Sequence, residues 1–188
     1  MNPLSQPLTL PCGAVFENRI AKGAMTEGLA DPDDRATGRH DVLYGRWSDG
    51  GAAMLLTGNV MVDRRYLERP GNVVIDGNGG EAALRSWAAA GTRAGNHLWM
   101  QISHPGRQCT RMSSSHPVSP SSEKLKGMMG LVAPPRALEG HEIREIFQRF
   151  AHVARTAKQA GFTGVQIHCA HGYLISQYLS PRSNRRTC

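Results

Sequence analysis

Two histidines and a tyrosine stand close together near the end of the chain, in the segment His168-Cys169-Ala170-His171-Gly172-Tyr173. Imidazole and phenol groups donate and accept protons, so these side chains could stabilise a developing negative charge and deliver a proton. They could instead be hydrogen-bonded structural residues, as buried His and Tyr often are. A zinc site of His168, Cys169 and His171 is less favoured, because further ligands at a recognisable spacing are missing.

A β-strand is predicted directly before these residues, since Val165 and Ile167 alternate with Gln166 and His168. Three earlier strands are predicted at 18–25, 52–56 and 98–102. Helices are predicted between the strands at 41–48, 81–93 and 142–159, the last with the clearest apolar face. The segments 60–80 and 111–135 are predicted loops, and the second is long enough to serve as a lid or binding loop. A short strand is also predicted within 8–11.

This alternation of strands and helices predicts an α/β fold with a parallel sheet, either an open doubly wound sheet or a barrel. No Gly-x-Gly-x-x-Gly follows the first strand, which argues against the dinucleotide-binding open sheet. All four strands end in polar residues, namely Thr26, Thr57, Gln101 and His168. Catalytic residues collect in this way at one rim of a (β/α)8 barrel, so the barrel is favoured.

The composition suits one loop-rich globular domain: 188 residues, 40% apolar, with 21 Gly and 11 Pro. No apolar run approaches the ~20 residues of a membrane-spanning helix, and the first ten residues do not resemble a signal peptide. A cytoplasmic location with no membrane partner is therefore expected. The cysteines Cys12, Cys109, Cys169 and Cys188 stand far apart, which argues against a zinc ribbon or a disulfide scaffold.

The formal net charge is +7, which raises the question of nucleic acid. The basic residues are scattered, however, with short clusters only at Arg64-Arg65 and within 182–186. No nucleic-acid partner is predicted, and the charge is interpreted as attraction for phosphorylated small molecules or as surface composition.

Taken in order, the motifs resemble those of the old yellow enzyme family, the FMN-dependent ene-reductases that use NADPH or NADH. The matching blocks are Asn18-Arg19-Ile20, Gly23-Ala24-Met25-Thr26, Leu55-Leu56-Thr57-Gly58-Asn59-Val60, Gln101-Ile102-Ser103-His104-Pro105-Gly106-Arg107-Gln108, Gly161-Phe162 through His168 to Leu174, Gln177-Tyr178-Leu179-Ser180-Pro181 and Ser183-Asn184-Arg185-Arg186-Thr187. The resemblance covers essentially the whole chain, and its last block is long and specific. It implies a (β/α)8 barrel, of which residues 1–188 would form the first four units in one truncated domain.

The resemblance implies FMN as the cofactor and NAD(P)H as the reductant. The residues that it would place around the flavin are Gly23, Ala24, Met25, Thr26, Gly58 and Gln101. Residues 23–26 would run under the ring with Thr26 near its reactive edge, Gly58 would let the ring approach the backbone, and Gln101 would hydrogen-bond the pyrimidine ring. Such groups orient the ring and tune its potential, whereas the hydride chemistry belongs to the cofactor. The residues alone favour ordinary strand-end hydrogen bonding for Thr26 and Gln101.

The same resemblance implies a small-molecule α,β-unsaturated substrate and catalytic roles for His168, His171 and Tyr173. The two imidazoles would hold the substrate carbonyl oxygen, and Tyr173, with an ordinary phenol pKa near ~10, would protonate the α-carbon. The sequence departs from the family pattern at Ala24, where proline is common, at Gly23, where alanine or serine is usual, and at Gln166, where an acidic residue is frequent. None of these departures removes a catalytic group.

The resemblance also implies later strands, with a flavin-contacting Arg and a phosphate site, that lie beyond the fourth unit. A half-barrel exposes sheet edges and apolar faces that invite pairing. Three outcomes are open: an inactive fragment or interaction module unable to hold FMN, a homodimer that mimics the closed barrel, or a complementing half-barrel on another chain. The fragment is favoured, because the lost phosphate contacts would lower flavin affinity.

Overall fold

The structure, a computed structural model, describes residues 2–187. The strands are β1 (Leu8–Thr9), β2 (Val15–Phe16), β3 (Ala21–Lys22), β4 (Met54–Met61), β5 (Val73–Val74), β6 (His97–Ser103), β7 (Val118–Ser119), β8 (Arg136–Ala137) and β9 (Gly164–Ile167). The α-helices are α1 (Gly38–Asp49), α2 (Glu81–Gly91), α3 (Gly140–Ala160) and α4 (Leu174–Leu179). Two short 3-10 turns lie at Pro3–Ser5 and Gly106–Gln108.

The main sheet is parallel, and its strands follow one another in the order β3-β4-β6-β9, with β5 added beside β4. The connecting helices contact one another in sequence, α1 against α2 and α2 against α3, so they cover the same face of the sheet. A doubly wound sheet reverses its strand order and places helices on both faces. The arrangement is therefore that of part of a (β/α)8 barrel, and the predicted fold class is confirmed.

The hydrophobic core lies between the sheet and these helices. Leu55, Leu98 and Met100 are fully buried from the strand side, and Trp87 is buried from α2. The Trp87 ring meets the edges of neighbouring aromatic rings, with its centroid 5.4 Å from that of Phe162. The predicted polar site residues at the strand ends do not belong to this hydrophobic core.

The predicted helices are confirmed with slightly wider bounds for α1 and α3. Helix α3 is followed by Gly161, whose φ of 99° is left-handed. That conformation lets the Gly161 N–H bond back to the carbonyl oxygens of Ala157 and Lys158, as expected of a glycine that follows a helix.

Two strand predictions need correction. Strand β4 does not end at Thr57-Gly58-Asn59 but continues to Met61, because its register with β6 shifts between Leu56 and Asn59 and the small polar residues form a bulge inside the strand. The predicted loop 60–80 is correspondingly shorter and contains β5. The predicted first strand 18–25 forms ladder pairs only at Ala21–Lys22.

Two segments outside the main sheet also pack against the rest of the protein. The predicted strand near residue 8 is β1, which pairs with β2 in a hairpin whose Phe16 ring lies 5.0 Å from the His97 ring at the start of β6. In the predicted lid 111–135, Val118 and Ser119 are fully buried, whereas Met129 is 94% exposed. Part of that loop is therefore packed into the core, and part of it is exposed. No helix within residues 2–187 is both long enough and apolar enough to span a bilayer.

Candidate functional site

The three rings predicted to be catalytic meet at the carboxyl end of β9. The His168 ring centroid lies 5.2 Å from that of His171 and 4.7 Å from that of Tyr173, and the His171 and Tyr173 centroids are 6.4 Å apart. His168 is buried, Tyr173 is partly buried and His171 is exposed. The three rings thus form one cluster that is open to solvent on the His171 side.

His168 is fixed as a hydrogen-bond donor toward the site. Its backbone N–H donates to the carbonyl oxygen of Ile102 in β6, and its Nδ1 accepts a hydrogen bond of 3.3 Å from the Ala170 N–H. A neutral imidazole that accepts at Nδ1 carries its proton on Nε2. Burial, followed by the nearby His171, lowers the pKa of His168. The ring is therefore neutral at pH 7 and presents an Nε2–H group.

The turn that carries His171 has an unusual backbone. His171 has a φ of 56° and Gly172 a φ of 74°, both in the left-handed region that side chains disfavour. Two glutamine amides hold this turn: Gln108 Nε2 donates to the His171 carbonyl oxygen at 2.6 Å, and Gln177 Nε2 donates to the Gly172 carbonyl oxygen at 2.6 Å. The segment after β6 therefore positions the segment after β9.

Tyr173 is held in its protonated form. Burial, followed by the negative charge of Glu68, raises the pKa of Tyr173 to about 12. The expectation of an ordinary phenol pKa is thus corrected upward. The hydroxyl carries a proton at every physiological pH and can give it only to a strongly basic centre.

Glu68 was not singled out from the sequence, yet it contacts both sides of the site. One carboxylate oxygen, Oε2, accepts hydrogen bonds from the Thr26 hydroxyl at 2.8 Å and from Asn59 Nδ2 at 2.7 Å. Its charge also acts on His168 and Tyr173. The position of Glu68 in the loop between β4 and β5 could have indicated a role in the site, because the loops that follow barrel strands line the site.

Gly58 lies against the segment that follows β3. A Cβ at this position would stand 2.3 Å from the Met25 carbonyl oxygen and 2.7 Å from the Thr26 Cα. The chain itself therefore requires glycine here, whereas the proposed approach of a flavin ring to Gly58 stays a prediction. Gly23 differs, since a Cβ there would meet nothing within 4 Å.

The backbone around Gly58, the floor of the predicted site, is connected to the first helix by the partly buried ion pair of Lys22 and Glu27. Lys22 Nζ lies 3.8 Å from Glu27 Oε1, donates to the Leu56 carbonyl oxygen at 2.7 Å and stacks over the Trp47 ring. Burial lowers the pKa of Lys22 to about 8. Glu27 Oε1 also accepts from the Tyr44 hydroxyl and from the Gly58 N–H.

Gln101 offers groups that suit a flavin pyrimidine ring. Its Nε2 donates to Gln166 Oε1 at 2.6 Å, and its backbone N–H donates to Thr57 Oγ1 at 2.9 Å. Within residues 2–187 its side-chain carbonyl oxygen accepts no hydrogen bond, so it could accept one from a ring N–H. Gln166 stands where an acidic residue is frequent in the family. Its neutral amide oxygen accepts the hydrogen bond from Gln101 as a carboxylate oxygen would.

The predicted site residues are therefore brought together along one edge of the sheet. Asn59, Gln101 and Gln166 are direct neighbours across three strands, and Thr26 joins them through Glu68. Ala24 and Met25 lie on the same segment as Thr26, with Met25 55% exposed. Fixed polar groups at a partly open edge fit a flavin ring. In the part of the chain described, no three His, Cys, Asp or Glu side chains are grouped to hold a metal ion.

The fold is that of part of a (β/α)8 barrel with the predicted site residues at the strand ends, the class to which many flavin oxidoreductases belong. The sequence profile of the NADH:flavin oxidoreductase / NADH oxidase family matches residues 3–188, and the chain belongs to this family. The resemblance to old yellow enzymes is thereby confirmed.

Curated relatives agree with this assignment. The chain is 38% identical to the NADH-dependent flavin oxidoreductase iliE of Hypocrea jecorina, covering 97% of this chain and 50% of that protein. It is 36% identical to the NADH oxidase of Thermoanaerobacter brockii, covering 92% of this chain and 26% of that protein. The chain thus spans half or less of these relatives.

Solved structures show the same fold. Morphinone reductase superposes with a TM-score of 0.88 at 26% identity, covering 100% of this chain and 53% of that protein. The old yellow enzyme homologue from Zymomonas mobilis gives a TM-score of 0.85 at 27% identity, covering 98% of this chain and 53% of that protein.

Proposed function

We propose that this chain forms part of an FMN-dependent oxidoreductase that uses NADH to reduce activated C=C bonds in α,β-unsaturated carbonyl compounds. The observation that carries the proposal is the convergence of His168, His171 and Tyr173 with Thr26 and Gln101 at one edge of the sheet. These are groups that can hold a substrate oxygen, donate a proton and orient a planar ring.

Each side chain has a separate task in this proposal. His168 Nε2–H and the His171 ring donate hydrogen bonds to the substrate carbonyl oxygen and stabilise the negative charge that develops there. Tyr173 gives its proton to the α-carbon. Gln101 and Thr26, with the backbone from Gly23 to Met25 and at Gly58, orient the flavin. When bound, the flavin supplies hydride transfer.

NADH is proposed as the reductant in preference to NADPH. The relatives in Hypocrea jecorina and Thermoanaerobacter brockii are named for NADH. NADH would reduce the cofactor in one half of the cycle, and the alkene would be reduced in the other.

We propose further that the open side of the sheet is covered by a complementing half-barrel or by a second copy of the chain. Met25, in the segment that follows β3, is 55% exposed, and Ile167, the last residue of β9, is 41% exposed. Apolar side chains of this size at a sheet are favourable to cover. A cover would also shield a flavin from water.

The experiment is to titrate FMN into the purified chain, follow the quenching of flavin fluorescence, and then add NADH and 2-cyclohexenone without oxygen. The proposal expects bleaching by NADH and recovery of the yellow colour on adding the enone. Gln101→Leu should weaken FMN binding about tenfold or more, because it removes hydrogen bonds to the ring. Gln148→Leu, on the exposed face of α3, is the matched control. A chain that binds no FMN alone, as a dimer in light scattering or together with a complementing half-barrel would contradict the proposal.

A further inference from the structure

We propose that Glu68 determines specificity by charge, so that the site takes neutral α,β-unsaturated carbonyl compounds and rejects carboxylates. This inference rests on the proposed function. It concerns a residue to which neither the motifs nor the resemblance assigned a role.

The position of Glu68 carries the first step. Its Oε2 is fixed by two donors, the Thr26 hydroxyl at 2.8 Å and Asn59 Nδ2 at 2.7 Å. Thr26 lies on the flavin side of the proposed site, and Asn59 is paired in register with Gln101. These two hydrogen bonds hold the Glu68 carboxylate in place between the two segments.

The charge of Glu68 reaches the substrate side as well. After burial, the Glu68 carboxylate raises the pKa of Tyr173 through its charge and as a hydrogen-bond partner of the hydroxyl, and its charge also acts to raise the pKa of His168. Within residues 2–187 no Lys, Arg or His lies within salt-bridge distance of the Glu68 carboxylate. The negative charge is therefore not neutralised by a direct ion pair.

The other charged and titratable groups that face Tyr173 do not reverse this field. Arg69, in the same loop, is exposed, and its Nη2 donates to the Thr26 carbonyl oxygen at 2.7 Å. Its effect on Tyr173 is smaller than that of Glu68. The His168 ring is neutral, and the exposed His171 ring is the third titratable group at the cluster.

A second carboxylate in this site would be repelled by Glu68. Like charges at short range in a partly buried site cost far more than they do in water. An amide or ketone of the same shape carries no such penalty. Some more distant relatives are named for fumarate or acrylate, both carboxylates, but this chain covers only 20% and 18% of those proteins.

The test compares acrylamide with acrylate, two substrates with the same carbon skeleton, in the FMN-loaded chain with NADH. The wild type is expected to have a higher kcat/KM for acrylamide than for acrylate. Glu68→Gln should lower the ratio of these two kcat/KM values about tenfold or more, which corresponds to ~1.4 kcal/mol. Gln keeps an oxygen acceptor for Thr26 and Asn59. Glu68→Asp, which keeps the charge, should retain the preference, and Glu17→Gln on the N-terminal hairpin is the surface control. A ratio unchanged in Glu68→Gln would overturn the inference.

A second measurement needs neither flavin nor turnover. The ionisation of Tyr173 is followed by tyrosinate absorbance, and its signal is isolated by subtracting the titration of Tyr173→Phe in each background. Removing the Glu68 charge should move the pKa of Tyr173 from about 12 toward the ordinary value of ~10. An unshifted titration would show that the charge does not reach the site and would overturn the inference. Failure to bind FMN would contradict the proposed function alone, and this titration would still decide the role of Glu68.

Discussion

The side-chain amide of Gln108 donates a hydrogen bond of 2.6 Å to the carbonyl oxygen of His171. Through this bond the turn after β6 holds the left-handed backbone that places the second imidazole beside the first. Two sequence blocks more than sixty residues apart thus act as one unit. The relationship leads to the first of four predictions.

Gln108→Ala should loosen the turn at His171 and Gly172. The variant loses a hydrogen bond worth ~1 kcal/mol and leaves an unfavourable φ at His171 without support. The expected result is faster amide hydrogen exchange in residues 169–173 and a higher KM for the enone. Gln148→Ala, exposed on α3, is the control. Equal exchange rates in both variants would show that the Gln108 bond does not hold the turn.

Tyr173→Phe should lower the rate of alkene reduction by ~10²–10⁴-fold, because it removes the proton donor. Reduction of the flavin by NADH should be unchanged, so stopped-flow measurement of the two half-reactions separates the roles. Since the pKa of Tyr173 is raised to about 12, the wild-type rate should show no loss from tyrosine ionisation up to pH ~10. Equal loss in both half-reactions would argue for a structural role instead.

Gly58→Ala should destabilise the protein by at least ~1–3 kcal/mol, because the added methyl group would collide with the backbone of Met25 and Thr26. Gly23→Ala is the matched control, since its Cβ meets no atom within 4 Å. Urea denaturation monitored by tryptophan fluorescence compares the two variants. Similar midpoints would mean that the Thr26 segment moves aside at little cost.

His104 should make the protein less stable in mild acid. The ring is fully buried, its Nδ1 accepts from the Gly106 N–H at 3.0 Å, and burial lowers its pKa to about 4. The unfolded chain has a histidine pKa near ~6.5, so it binds the proton first. The stability contribution is complete above pH ~6.5 and is lost as the pH falls toward 4, by up to ~3 kcal/mol.

The measurement is the free energy of unfolding between pH 7 and pH 4.5 for the wild type and for His104→Asn. The Asn variant should show a shallower pH dependence, since it removes the titrating group but keeps an acceptor. His116→Asn, on an exposed segment, should behave as the wild type does. Parallel curves for wild type and His104→Asn would exclude His104 as the source of the acid sensitivity.

The sequence was sufficient to predict the parallel α/β fold as part of a (β/α)8 barrel, and it placed several of the predicted site residues at one edge of the sheet. The alternation at Val165 to His168 predicted β9, and the parallel ladder places Gln101 beside Gln166, two residues before His168. Thr26 is connected to this edge through Glu68. The apolar periodicity of α3 likewise predicted the helix, and Ile146, Phe150 and Val153 of that face are buried, whereas Phe147 is 62% exposed.

Other features could not be read from local patterns. Glu68 lies in a loop without periodicity. It contacts Thr26, which is distant in the sequence, and Asn59, and no local sequence pattern indicates either contact. The continuation of β4 through Gly58 was missed, since small polar residues in sequence indicate an end whereas a bulge absorbs them in the sheet.

The Tyr44 hydroxyl, on α1, accepts from the Gly58 N–H at 3.2 Å and donates to Glu27, so the outer helical layer is linked to the floor of the site. Substitution of Tyr44 would remove both hydrogen bonds without changing the rings of His168, His171 or Tyr173. Libraries aimed at retuning the cofactor's environment should therefore include this helix, because a residue that no ligand can reach has a direct connection to the backbone on which the ligand would rest.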